Sequence, residues 1–191
     1  MLIQFNFKNY KSFRDETSLD LSATKMKEFE SSVVTIGGEK ILPVAAVYGA
    51  NASGKSNVYS AFEFMTAYVK KSFFYGDDDK TFADARPTPF LFDSRARNAE
   101  SLFEVYFTIP GENAEKTYNY GFCIDETGIT EEWLNTKAKS AREFKSVFYR
   151  NTEKQELDLR GIAKVSRDNI EVALNRQVLI ISLGAKLKVE K

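Results

Sequence analysis

The chain has no histidine and a single cysteine, Cys123. Without an imidazole, neither a Ser-His-Asp nor a Cys-His nucleophile system can be assembled, and a Cys/His zinc site cannot form. One cysteine cannot close a disulfide within one chain, which fits a reducing compartment and leads to the expectation of a cytoplasmic protein. An excess of one charge is missing too. Lys and Arg number 27 and Asp and Glu 27, so only a local basic face is left to attract a polyanion. No apolar run approaches the ~18 residues of a membrane span, so no membrane partner is expected. The opening "MLIQFNFKNYKSFRDE" alternates apolar and polar residues and does not have the build of a signal peptide. Any catalysis must rest on carboxylates, Lys, Arg, backbone amides or a hard metal ion.

What is present is phenylalanine, with 16 residues in a chain that is 43% hydrophobic. This implies a Phe-rich core with many strand positions. A length of 191 residues suits one domain, or one with a small second lobe.

Leu2 to Phe7 alternates with period two, which predicts a strand with Ile3, Phe5 and Phe7 on its buried side. Thr17 to Ala23 reads as its hairpin partner. After the turn "TIGGEK", the run "ILPVAAVYG" is almost continuously apolar and predicts a third strand, buried on both faces in a mixed or parallel sheet, with Pro43 among its first residues. From Lys55 to about Phe74, Val58, Ala61, Phe62, Met65, Tyr68 and Val69 recur every three and four residues, which marks an amphipathic helix. Asp77, Asp78 and Asp79 read as a solvated turn. "SLFEVYFTIP", "TYNYGFCID", "ITEEWLNTK" and "KSVFYRN" predict an antiparallel meander. The segment after Asn151 reads as helical overall, with "VLII" open to a strand. Three regions result: 1–75 with the first strands and helix, 76–150 with the β meander, and 151–191 as the helical start of a second half.

"GANASGKS", Gly49 to Ser56, matches G-x-x-x-x-G-K-[ST] in full between a predicted strand and a predicted helix. That spacing suits a phosphate loop. Gly49 allows the chain to leave the strand, and the loop amides turn inward around an anion. Gly54 permits close approach of the phosphates, Lys55 reaches the outer ones, and Ser56 offers a hydroxyl to Mg²⁺ at a helix N-terminus. ATP with Mg²⁺ is the expected ligand pair.

With Asn51, Ala52, Ser53 and Asn57 in those places, the loop resembles that of ABC-type ATPase heads. The branch it resembles is that of RecF, SMC and the OLD-like bacterial ATPases, including those of phage-defence and abortive-infection systems. The opening supports the resemblance through Asn9, Tyr10, Lys11, Ser12 and Phe13, and the meander through Tyr118, Tyr120, Gly121, Phe122 and Glu132. The implied fold is α/β: a P-loop NTPase lobe with a mixed sheet around the loop and helix, plus the antiparallel meander. The resemblance implies that Lys11 lies near the nucleotide phosphates and that the Asn9 to Phe13 turn lies near base and ribose. Tyr10 and Phe13 are expected in the core.

Heads of that class add a glutamine loop, a Leu-Ser-x-Gly signature acting in trans, and a Walker B strand. "YGFCIDE" imitates the last, yet Asp125 to Gly128 also make a hairpin turn. "ISLGAKL" imitates the signature and reads as an amphipathic segment. Gln155 and Gln177 are the glutamines after the loop. Three functions stay open. The first is an ATP-binding lobe that needs a second half or an identical head. The second is a self-sufficient small NTPase using Asp125 and Glu126, and the third is a nucleotide-stabilised interaction module without turnover. DNA as a partner follows from family analogy alone. The basic run Lys137, Lys139, Arg142, Lys145 and Arg150 reads as a solvated hairpin rim.

Overall fold

The computed structural model describes residues 1–23, 30–77, 79–111 and 116–187. Seven strands form one sheet: β1 (Leu2–Lys8), β2 (Thr17–Asp20), β5 (Ser101–Thr108), β6 (Lys116–Ile124), β7 (Ile129–Ala138), β8 (Lys145–Asn151) and β9 (Glu156–Asp158). Their spatial order is β2-β1-β5-β6-β7-β8-β9. The opening hairpin and the meander are therefore continuous, joined where Phe5 of β1 pairs with Val105 of β5. A separate hairpin, β3 (Val34–Ile36) and β4 (Glu39–Ile41), turns at Gly37 and Gly38, both at positive φ.

The period-two pattern of β1 is realised, with Phe5 and Phe7 fully buried. They face α1 (Lys55–Lys71), whose buried stripe is Ala61, Met65 and Tyr68. Aromatic contacts knit the two layers: Phe64 lies 4.8 Å from Phe103, and Tyr68 stacks on Phe122 at 5.6 Å. Burying each such side chain stabilises the fold by about 1.5–3 kcal/mol. Two short helices, α2 (Asp79–Asp84) and α3 (Ser94–Arg97), lie between α1 and β5. Asp79 thus opens a helix where a solvated turn was expected, while Asp78 lies outside the described residues. The C-terminal part carries β9 and then α4 (Lys164–Ala173) and α5 (Ile180–Lys186), so "VLII" enters a helix. Ile170, Leu179, Ile180 and Leu183 complete the core.

The opposite sheet face is polar. Asn6 and Asn119 each donate to the Glu104 carboxylate, at 2.8 and 2.7 Å, and Asn135 donates to Asn119. Trp133 covers Gly121 closely: a Cβ there would lie 2.4 Å from the indole.

The expected third strand is not formed. β4 ends at Ile41, the Leu42 N–H still donates to the Leu21 carbonyl, and residues 43–50 pair with no strand among the described residues. Val44 and Tyr48 are 78% and 90% exposed. The reason is geometric. An apolar segment becomes a strand only where a neighbour offers a ladder, and Pro43 has no N–H to extend the one at Leu42. Every strand pairing among the described residues is antiparallel, so the mixed sheet expected around the loop is corrected to an antiparallel one.

Candidate functional site

Gly49 to Gly54 forms an exposed turn that feeds directly into α1. Its backbone bends through two left-handed positions, Ala52 at φ 62° and Gly54 at φ 91°. Gly54 needs no Cβ, but Ala52 holds this conformation at some cost. Ser53 folds over Gly49, where a Cβ would lie 2.9 Å from its hydroxyl oxygen. Among the described residues, the N–H groups of Asn51, Ala52, Gly54, Lys55 and Ser56 make no backbone hydrogen bond. Gly54 caps α1 without a side-chain bond, so the helix N-terminus is also open to an acceptor. The Lys55 ammonium donates to the Gly49 carbonyl at 2.8 Å and the Ala50 carbonyl at 2.6 Å, arching over the turn. Unpaired amides, one ammonium and the free Ser56 hydroxyl form a donor set suited to a polyphosphate and a hard cation.

The N-terminal turn lies against this loop. Asn9 and Lys11 adopt positive φ of 54° and 50°, and Tyr10 and Phe13 exchange backbone hydrogen bonds. Asn57 donates to the Ser12 hydroxyl at 2.8 Å. A Cβ on Gly54 would sit 3.1 Å from that same oxygen and 3.2 Å from the Phe13 ring. The turn that carries Lys11 therefore adjoins the loop in space. Its ammonium lies 5.3 Å from the centre of the Tyr10 ring and forms no ion pair with a described carboxylate. Tyr10 is buried and Phe13 partly so, as expected of core residues.

A family described as "AAA domain, putative AbiEii toxin, Type IV TA system" matches residues 44–177, most of the chain. The chain belongs to this AAA family. Its fold is accordingly of the P-loop NTPase type, and AAA domains of this kind bind ATP with Mg²⁺. No curated protein matched the chain. Within this AAA domain, the loop at Gly49 to Ser56 is the segment whose chemistry fits that ligand pair.

Other residues singled out in the sequence lie elsewhere. Asp125 accepts from the Thr127 N–H, the Thr127 hydroxyl and the Gly128 N–H, shaping the β6–β7 turn. Asp125 and Glu126 line a cavity of about 380 Å³ with Arg86 and Arg97, and no residue of Gly49 to Asn57 lines it. Gln155 sits at φ 57° in the β8–β9 turn, and the Gln177 carbonyl accepts from the Tyr68 hydroxyl at 2.8 Å. "ISLGAKL" falls largely in α5. Arg150, counted in the basic run, is corrected: it is 5% exposed and pairs with Glu132 at 3.3 Å.

Glu132 itself is fully buried. It accepts from the Ile180 N–H at 2.8 Å and the Ile181 N–H at 3.3 Å, at the start of α5, and from the Tyr120 hydroxyl. Burial holds its pKa above the ordinary carboxylate range, although Arg150 and the α5 amides pull the other way. Arg150 reaches on to the Asn175 and Val178 carbonyls. This buried clamp was not legible in the sequence, where an alternating strand gave no sign that its inward acid was paired. Asn9 was legible as part of a motif but not in its role. Its amide nitrogen donates to the carbonyls of Ala96, Ala99 and Glu100, and its oxygen accepts from the Phe90 N–H.

Proposed function

We propose that the chain is the ATP-binding lobe of a RecF/SMC/OLD-like ATPase, and that hydrolysis needs a second lobe and the closure of two heads. The loop of open amides arched by Lys55 and leading into α1 carries this reading. The open backbone amides of Asn51, Ala52, Gly54, Lys55 and Ser56 would hold the β- and γ-phosphates, while the Ser53 N–H donates to the Ala50 carbonyl and shapes the turn. Gly49 and Gly54 would keep the chain close to them, Lys55 would neutralise the outer charge, Ser56 would offer its hydroxyl to Mg²⁺ and Lys11 would add a second cation from the side. Transfer to water then needs a carboxylate that positions the nucleophile, supplied by the second lobe.

Two surfaces support a partner lobe. Val44, Val47 and Tyr48 lie exposed on a segment just ahead of the loop that pairs with no strand among the described residues. On the inner sheet face, Phe107, Ile109, Leu134 and Ile181 line an apolar groove of about 580 Å³. The self-sufficient alternative is disfavoured by the turn-forming bonds of Asp125 and by a cavity that excludes the loop. Membership in a family described by an abortive-infection toxin favours a phage-defence setting.

Phosphate release from ATP, measured with the chain alone and then with a complementary lobe carrying signature and Walker B segments, tests the reading. Turnover only in the mixture supports it. Strong turnover by the chain alone, lost in Glu126→Gln, supports the self-sufficient enzyme. Binding without turnover in either case supports the interaction module.

A further inference from the structure

The Asn57 amide, which the resemblance to ABC-type heads would assign to the nucleotide, is engaged with protein: it donates to Ser12 at 2.8 Å. Ser12 belongs to a turn fastened on three sides. Asn9 ties it to the 90–100 segment through four hydrogen bonds, and the Lys11 N–H donates to the Thr88 carbonyl at 2.8 Å. Phe13 anchors it in the core, edge-on to Phe7 at 5.0 Å. The third fastening is Asn57, in the first turn of α1. Between them sits Gly54 at φ 91°, with the Ser12 oxygen and the Phe13 ring filling the space a side chain would occupy. A rigid turn is thus pressed against the residue where the loop becomes a helix.

We propose that Ser12 and Asn57 are positioning residues of the phosphate site. Their hydrogen bond locks the N-terminal turn onto the loop, holding Gly54 left-handed and Lys11 beside the anion. The proposal rests on the nucleotide reading of the loop. It assigns Asn57 a role through Ser12 and not through the ligand.

The test compares Ser12→Ala, Asn57→Ala, the double variant and Ser12→Thr, by calorimetric titration of Mg·ATP into the full chain. Loss of one shared hydrogen bond predicts roughly three- to ten-fold weaker binding in each single variant and no further loss in the double. Ser12→Thr, which keeps the hydroxyl, binds as wild type. The nucleotide-free melting temperature falls by no more than the loss of one exposed hydrogen bond explains, and not at all in Ser12→Thr, which separates positioning from simple stability. Weakening in Asn57→Ala without weakening in Ser12→Ala makes Asn57 a direct ligand and overturns the proposal. Lowered melting temperature with unchanged ATP affinity overturns it as well. The Gly54 and Lys55 amide resonances of the nucleotide-free protein give an independent readout. Should wild type fail to bind ATP while Ser12→Ala still displaces those resonances, the nucleotide reading falls and the mechanical link stands. Resonances that do not move contradict the link itself.

Discussion

Lys55 donates its ammonium to two carbonyls of its own loop, so a nucleotide bound there would meet a cation already arched over the turn. Gly54 beneath it tolerates no side chain, because of both φ 91° and the proximity of Ser12 and Phe13. Gly54→Ala is expected to destabilise the fold by about 1 kcal/mol or more and to weaken Mg·ATP binding; urea midpoints and titrations measure the two effects. At the buried clamp, Arg150→Ala leaves Glu132 unpaired and should cost about 3–5 kcal/mol, whereas Glu132→Leu with Arg150→Met should recover most of it. Glu132 also sets a pH dependence. Its folded pKa is raised, so the native state holds its proton more tightly than the unfolded chain. Its contribution is therefore present in full below the ordinary glutamate range and is lost as pH rises through the raised value. The stability difference between wild type and Glu132→Gln should shift in favour of wild type as pH falls from neutral towards that range. A difference that does not change with pH contradicts the raised pKa.

At the scale of elements, what could be read from sequence depended on whether each pattern had a local cause. The α1 stripe and the alternation that starts β1 and β5 follow from one face meeting a core, and they were legible, whereas β6 is buried on both faces despite its alternating sequence. The segment Val44 to Tyr48 was not, because a continuous apolar run reports only a preference for burial and cannot say whether a neighbouring strand is there to receive it. The turn from Gly49 to Ser56 was legible because its glycines and lysine act through local geometry. The Ser12–Asn57 bond and the Glu132–Arg150 pair were not, since each joins residues far apart in the chain. The tie between α1 and the segment before α5 is another such contact. Tyr68 donates to the Gln177 carbonyl, and Ser72 accepts from the Leu179 N–H at 3.1 Å. Tyr68→Phe should therefore lower stability by about 1 kcal/mol in denaturant titrations, with ATP affinity unchanged. In the meander, Gly121→Val drives a side chain into Trp133 and should cost about 1–3 kcal/mol, with an altered tryptophan emission.

For the whole molecule, the arrangement is a strongly cored antiparallel sheet with α1 across one face and the Gly49 to Ser56 loop on its periphery. Among the described residues no helix is long and apolar enough to cross a membrane. The exposed segment before the loop and the groove beside α5 are the places where a complementary lobe would bury apolar area. Such a lobe should protect the Val44 to Tyr48 amides from hydrogen exchange on mixing, and unchanged exchange there would argue against docking at that edge. All of this depends on the loop holding a triphosphate. Isothermal titration of Mg·ATP into the wild-type chain and Lys55→Ala tests that most directly. Saturable binding of one nucleotide per chain, weakened roughly 10- to 100-fold in the variant through loss of a charge-assisted contact, is the predicted result. Equal affinity in the two proteins, or no binding by wild type, would contradict it.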